Sequence, residues 1–70
     1  MLKNNIEIDV KTKCLEARMT QKEVAEEIGT TGQYVSRVLK KQDTIVNRTF
    51  VSMMEALGYD IELTYIRREK

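Results

Sequence analysis

Residues Gln21 to Lys40, QKEVAEEIGTTGQYVSRVLK, constrain this chain more than any other stretch, because they specify two short helices and the corner between them. Thr20 followed three residues later by Glu23 is a capping box: hydroxyl and carboxylate each satisfy a backbone N–H that the helix leaves unpaired. Helix therefore starts at Gln21. Val24, Ala25 and Ile28 recur as one apolar stripe facing a core, while Lys22, Glu23, Glu26 and Glu27 face water. Gly29 follows the last periodic residue, where a helix commonly ends on one left-handed residue. Thr30 or Thr31 can cap the next helix.

In that second helix, at about 100° per residue, Val35, Val38 and Leu39 share one side and Gln33, Arg37 and Lys40 the opposite one. The amide of Gln carries a donor and an acceptor and can pair bidentately with adenine; a guanidinium does the same with guanine O6 and N7. A helix clamped by its apolar side and carrying these groups outward suits the DNA major groove.

Counted from Gln21, Ala25 stands fifth, Gly29 ninth, Val35 fifteenth and Val38 eighteenth, and Ala56–Gly58 reads ALG. On these residues the chain resembles the phage-repressor-like (XRE) family of helix-turn-helix domains over about Val10 to Gly58. The spacing has a physical reason: a small residue permits close helix crossing, a glycine makes the corner, and two valines lock the second helix onto the first. The resemblance implies that Gln21 touches phosphate through its amide and the helix N-terminus, that Thr31 touches phosphate or a base, and that Gln33, Ser36, Arg37 and Lys40 face the groove. Gly32 departs from the pattern, since a base-contacting side chain often stands there.

Upstream, Ile6, Ile8 and Val10 alternate with Glu7 and Asp9 as in a strand, yet Val10, Cys14, Leu15 and Ala17 suit a helix. A first helix is expected over about residues 8–18, buttressing the pair, which spans 21–28 and 32–41. Gln42 to Asn47 is expected to be a loop that brings Lys40, Lys41 and Arg48 to the phosphates. Asn47 or Thr49 can cap a fourth helix over 49–57, whose Phe50, Met53, Met54 and Leu57 have core spacing; the two methionines alternatively form an adaptable binding surface.

After Gly58, where the family usually continues into a fifth helix, YDIELTYI alternates and is β-branched and aromatic, which predicts a strand over about 60–66. A lone strand leaves a row of backbone groups unpaired. Its partner is either the same strand of a second chain or the segment IEIDV of its own. The intermolecular pairing is favoured, with Ile61, Leu63 and Tyr65 at the dimer interface. Arg67, Arg68 and Lys70 form a solvated tail or further phosphate contacts.

Seventy residues allow one domain, expected over 1–70, and a chain this short buries only about 60% of its extended surface. A net charge of +1 neither supports nor opposes nucleic acid, but Gln33 to Arg48 holds four cations against one anion, whereas Glu23 to Glu27 holds three carboxylates. That polarity fits one DNA-facing and one DNA-averted edge. The absence of His and the single Cys14 rule out a thiol–imidazole pair and a usual zinc site, so no enzyme, metal or cofactor is expected. No secretory signal, long apolar run or lipidation motif is present, so the expected location is the cytoplasm, with no membrane contact.

The fold class expected is mainly α: a four-helix, repressor-like helix-turn-helix domain with a C-terminal strand pairing across a dimer. The function expected is a sequence-specific, homodimeric regulator of transcription that binds double-stranded DNA, a repressor of a palindromic operator. The alternative is an antitoxin, binding both DNA and a toxin protein; small antitoxins of this class look similar. A third reading is a helix-turn-helix that has lost DNA binding and serves as an oligomerisation unit.

Overall fold

A computed structural model describes residues 1–69; Lys70, part of the expected basic tail, lies outside the described residues. Five helices follow in order: α1 (Ile6–Ala17), α2 (Gln21–Glu27), α3 (Gly32–Lys40), α4 (Gln42–Ile45) and α5 (Arg48–Ala56). Each long helix is started by a side chain with a short reach. Thr20 and Glu23 form the capping box of α2, with Glu23 N–H donating to the Thr20 hydroxyl at 3.1 Å and Thr20 N–H to the Glu23 carboxylate at 3.0 Å. Thr31, not Thr30, caps α3. Asn47 caps α5, its Oδ1 accepting from Thr49 and Phe50.

The helix α1 begins earlier than periodicity suggests. Asn5 Oδ1 accepts from Ile8 N–H at 3.1 Å, and the free N–H of Ile6 donates to Gln42 Oε1 at 2.6 Å. The alternation at Ile6, Ile8 and Val10 is therefore read at helical spacing: Ile6 is buried, Val10 packs against the core, and Ile8 is exposed.

Three chain reversals share one device. After α2, Thr30 N–H donates to Ala25 C=O at 2.8 Å and Gly29 N–H to Glu26 C=O at 3.2 Å, with Gly29 at φ 79°. Such paired bonds satisfy the last carbonyls of a helix and require one left-handed residue. Gly58, at φ 95°, does the same after α5. After α1 the left-handed position is held by Arg18, at φ 56°.

Ile6, Ala25, Val35 and Leu39 form the core, with Leu2, Val10, Val46 and Leu63 packed around it. Several residues expected inside are not. Ile28 lies past the end of α2 and is exposed, as is Leu15 of α1. The expected core stripe of the last helix fails too: Phe50, Met53 and Leu57 are exposed, and only Val51 and Met54 are partly covered. Too few elements stand over α5 to close that face.

Two expectations about architecture are corrected. The segment read as a loop contains α4, one turn held by Thr44 N–H and Oγ–H donating to Lys41 C=O and tied to α1 through Gln42. Among the described residues, the strand expected over 60–66 does not form. The C-terminal arm is extended, but its one bridge is parallel, between Leu2 and Ile61 of the same chain, with Lys3 N–H donating to Ile61 C=O and Ile61 N–H to Met1 C=O, both at 2.9 Å. The segment IEIDV, the alternative partner, is helical, so the partner edge within the chain runs out where α1 begins. At that point Asn4 replaces it: its amide donates to Leu63 C=O at 3.0 Å and accepts from Leu63 N–H at 2.8 Å.

The arm is pinned at both ends. The Met1 amine meets Glu55 and Asp60, which raises its pKa and lowers that of Asp60. Further along, Asn4 and the Tyr65 hydroxyl donate to Asp9 at 2.9 and 2.8 Å, and those bonds hold the Asp9 carboxyl below its usual range.

Left-handed geometry at a non-glycine costs about 1–2 kcal/mol, so Arg18→Gly should raise stability by about 1 kcal/mol and Gly29→Ala should lower it by about 1–2 kcal/mol, in urea unfolding. For Asp9, a folded-state pKa below the unfolded value of 3.8 means stability that is present above that pH and lost as pH falls through the lower folded value. Melting temperatures followed from about pH 5 to about pH 2 should fall less steeply for Asp9→Asn than for the unaltered chain.

Candidate nucleic-acid interface

The two faces of α3 are separated by burial. Val35 and Leu39 are buried and Val38 is half-buried, while Gln33, Arg37 and Lys40 are exposed. Thr31 sets the start of the helix: its hydroxyl oxygen accepts from Tyr34 N–H at 3.2 Å, which leaves the hydroxyl hydrogen for an outside acceptor. Arg37 and Lys40 sit in the last turn, where positive charge meets the negative end of the helix dipole.

Gly32, Gln33, Ser36, Arg37 and Lys40 line one open cleft of about 430 Å³. Four sequence-derived candidates thus converge on a single surface. Gln21 occupies the first position of α2 and is half-buried. Lys41 links α3 to α4, at φ −114° and ψ 71°, with its side chain exposed. Arg48 opens α5, away from that cleft lining, and pairs with Asp43 at 3.6 Å. An exposed pair of this length contributes little and leaves the guanidinium available to compete for phosphate.

Two residues escaped the sequence reading. Tyr34 is exposed on α3, one position from Gln33, and brings a phenol to the flank of the polar face. Lys22 looks merely solvated in sequence, yet its Cα lies 3.7 Å from where a Cβ on Gly32 would stand. The crossing of α2 and α3 therefore brings the start of the Lys22 side chain beside Gly32. Tyr34 could have been found from its helical angle; Lys22 could not, because its proximity arises only when α2 and α3 cross.

Cys14 is half-buried and lines a small cleft of about 230 Å³ with Val24 and Tyr65. Among the described residues, no group of three His, Cys, Asp or Glu is placed to hold a metal ion, and no helix is long and apolar enough to cross a membrane.

A family model described as Helix-turn-helix matches residues 10–63. No curated protein and no solved structure matches the chain.

Gly32 has no left-handed φ, and an added Cβ would meet Lys22 only at ordinary contact distance. Gly32→Ala should therefore stabilise the fold by about 0.4–1 kcal/mol, read by urea unfolding. Destabilisation would mean that the corner has less room than this geometry allows.

Proposed function

The chain belongs to the helix-turn-helix family, whose domains bind DNA in transcriptional regulators, and from that premise we propose a sequence-specific, homodimeric repressor of a palindromic operator. The observation that carries the reading is the division of α3: Val35 and Leu39 face the core while Gln33, Ser36, Arg37 and Lys40 line one accessible cleft. In this reading Arg37 and Gln33 address base edges, with Ser36 and Lys40 beside them. Gln21, Thr31, Lys22, Lys41 and Arg48 address phosphates and set the register of the helix in the groove.

The absence of a Cβ at Gly32 leaves the backbone at the start of α3 free to approach the DNA closely. A two-fold dimer places two copies of α3 about 34 Å apart, one turn of DNA, and so matches inverted half-sites. The arm offers one route to that dimer. Ile61 and Leu63 direct their backbone groups to residues 1–4, so the intervening Glu62 and Thr64 present the other edge to an arm of a second copy.

A second reading is a protein partner of the toxin kind, supported by the exposed carboxylates of Glu26 and Glu27, which make no ion pair among the described residues. A complex with another protein that survives high salt would favour it.

Mobility shifts on genomic and random duplexes at two salt concentrations test the DNA reading; equal, feeble retardation of all duplexes at low salt would overturn sequence specificity. Arg37→Ala should cost about 1–3 kcal/mol of binding and relax discrimination at one base pair, whereas a uniform loss over all sequences would reassign Arg37 to phosphate. Lys41→Ala should weaken binding across sequences and reduce the salt slope by about one.

A further inference from the structure

The helix α4 leaves α3 through a one-residue joint. Lys41 is both the end of α3 and the start of α4, and its backbone, at φ −114° and ψ 71°, lies outside the helical well. Two dihedral angles of one residue therefore set the direction of α4. Local hydrogen bonds do not hold them. Lys41 N–H donates to Val38 C=O at 3.1 Å, and Lys41 C=O accepts from Thr44 N–H at 2.9 Å and from Thr44 Oγ–H at 2.7 Å. Each bond closes a turn on its own side, and neither spans the joint. Four residues with no side-chain cap are also too few to hold a direction unaided.

Two contacts reach from this segment to the body of the domain. Val46 packs against the core, an apolar contact without directional preference. Gln42 supplies the directional one: its Oε1 accepts from Ile6 N–H, 36 positions away, at 2.6 Å and partly buried. Among the described residues it is the one hydrogen bond from residues 41–47 to a remote part of the chain. The anchor is stiff. Ile6 is buried at the first position of α1, where a backbone N–H has no acceptor in its own helix. Asn5 beside it caps α1 through Ile8 N–H, and Asn4 holds both backbone groups of Leu63. Only the oxygen of the Gln42 amide can accept, so this bond also fixes which way that group faces.

The geometry points to Gln42 as a positioning residue for DNA binding: by tying the first residue of α4 to the start of α1, it holds the Lys41 joint in one direction before DNA arrives. The inference rests on the DNA reading above, in which Lys41 addresses phosphate, and gives Gln42 itself no contact with DNA. A joint left free samples several directions. Binding then weakens in proportion to the fraction of chains that hold the competent one.

Gln42→Met keeps the length of the side chain and removes the acceptor. DNA affinity of the full chain should fall about three- to tenfold, equally on all duplexes. The salt slope should stay unchanged, because the bound complex still contains Lys41. Made in a Lys41→Ala chain, the same substitution should produce little further loss, since the direction of the joint no longer matters there. Equal losses in the two backgrounds would make Gln42 a general support of the fold, and no loss in either would make the bond immaterial; each result overturns the positioning role. Hydrogen exchange of the unaltered chain needs no variant: the Ile6 amide should be protected, and exchange at the rate of an open amide overturns the tie. An unaltered chain that retards no duplex overturns the DNA reading and this inference with it, an outcome distinct from the other three.

Discussion

The crossing of α3 over Ala25 is the contact on which the rest of the geometry depends. Ala25 is 1% exposed and sits in the core with Val35, Leu39 and Ile6. A methyl group there lets two helices approach far enough for the valine and leucine of α3 to lock against α2 and α1. Because three of the four core residues belong to the α2–α3 pair, the position of the polar face of α3 is set by packing. Gln33 and Arg37 point outward as the necessary complement of Val35 and Leu39 pointing inward.

Around that small core the chain is tied mainly by polar contacts between its two ends. A short extended N-terminal arm and a longer C-terminal one run parallel, and where backbone pairing stops the amide of Asn4 stands in for the missing strand. Asp9 then collects Asn4 and Tyr65, so α1, the N-terminal arm and the C-terminal arm meet at one carboxylate. These bonds are exposed or only partly buried and individually modest. They orient the arm and leave the core as small as it was. The consequence is a fold in which α3 is well seated while Phe50, Met53 and Leu57 keep apolar surface toward solvent.

The helix start at Thr20, the reversal at Gly29 and the two-sided character of α3 were legible in the residues, and the starts of α3 and α5 were narrowed to Thr30 or Thr31 and to Asn47 or Thr49. Each depends on side chains reaching their own backbone within four residues, or on the 3.6-residue repeat, and local chemistry of that kind survives whatever the rest of the chain does. The convergence of Gln33, Ser36, Arg37 and Lys40 on one cleft was legible for the same reason, since they share one helix. Lys22 beside Gly32 was not, because that proximity joins two helices.

The sequence by itself determined a helix-turn-helix with an outward polar face, because its determinants are short-range. Only the tertiary structure decided which apolar residues are inside. Periodicity marks a face without saying what stands opposite, so Ile6 proved central while Phe50, Met53 and Leu57, equally well spaced, found nothing to cover them. It also decided the fate of YDIELTYI: alternation makes a segment ready to pair, but a strand needs a partner edge as long as itself, and here that edge ends where Asn5 starts a helix. Short-range chemistry is carried by the residues that enact it; long-range pairing depends on what the remainder of the chain leaves free.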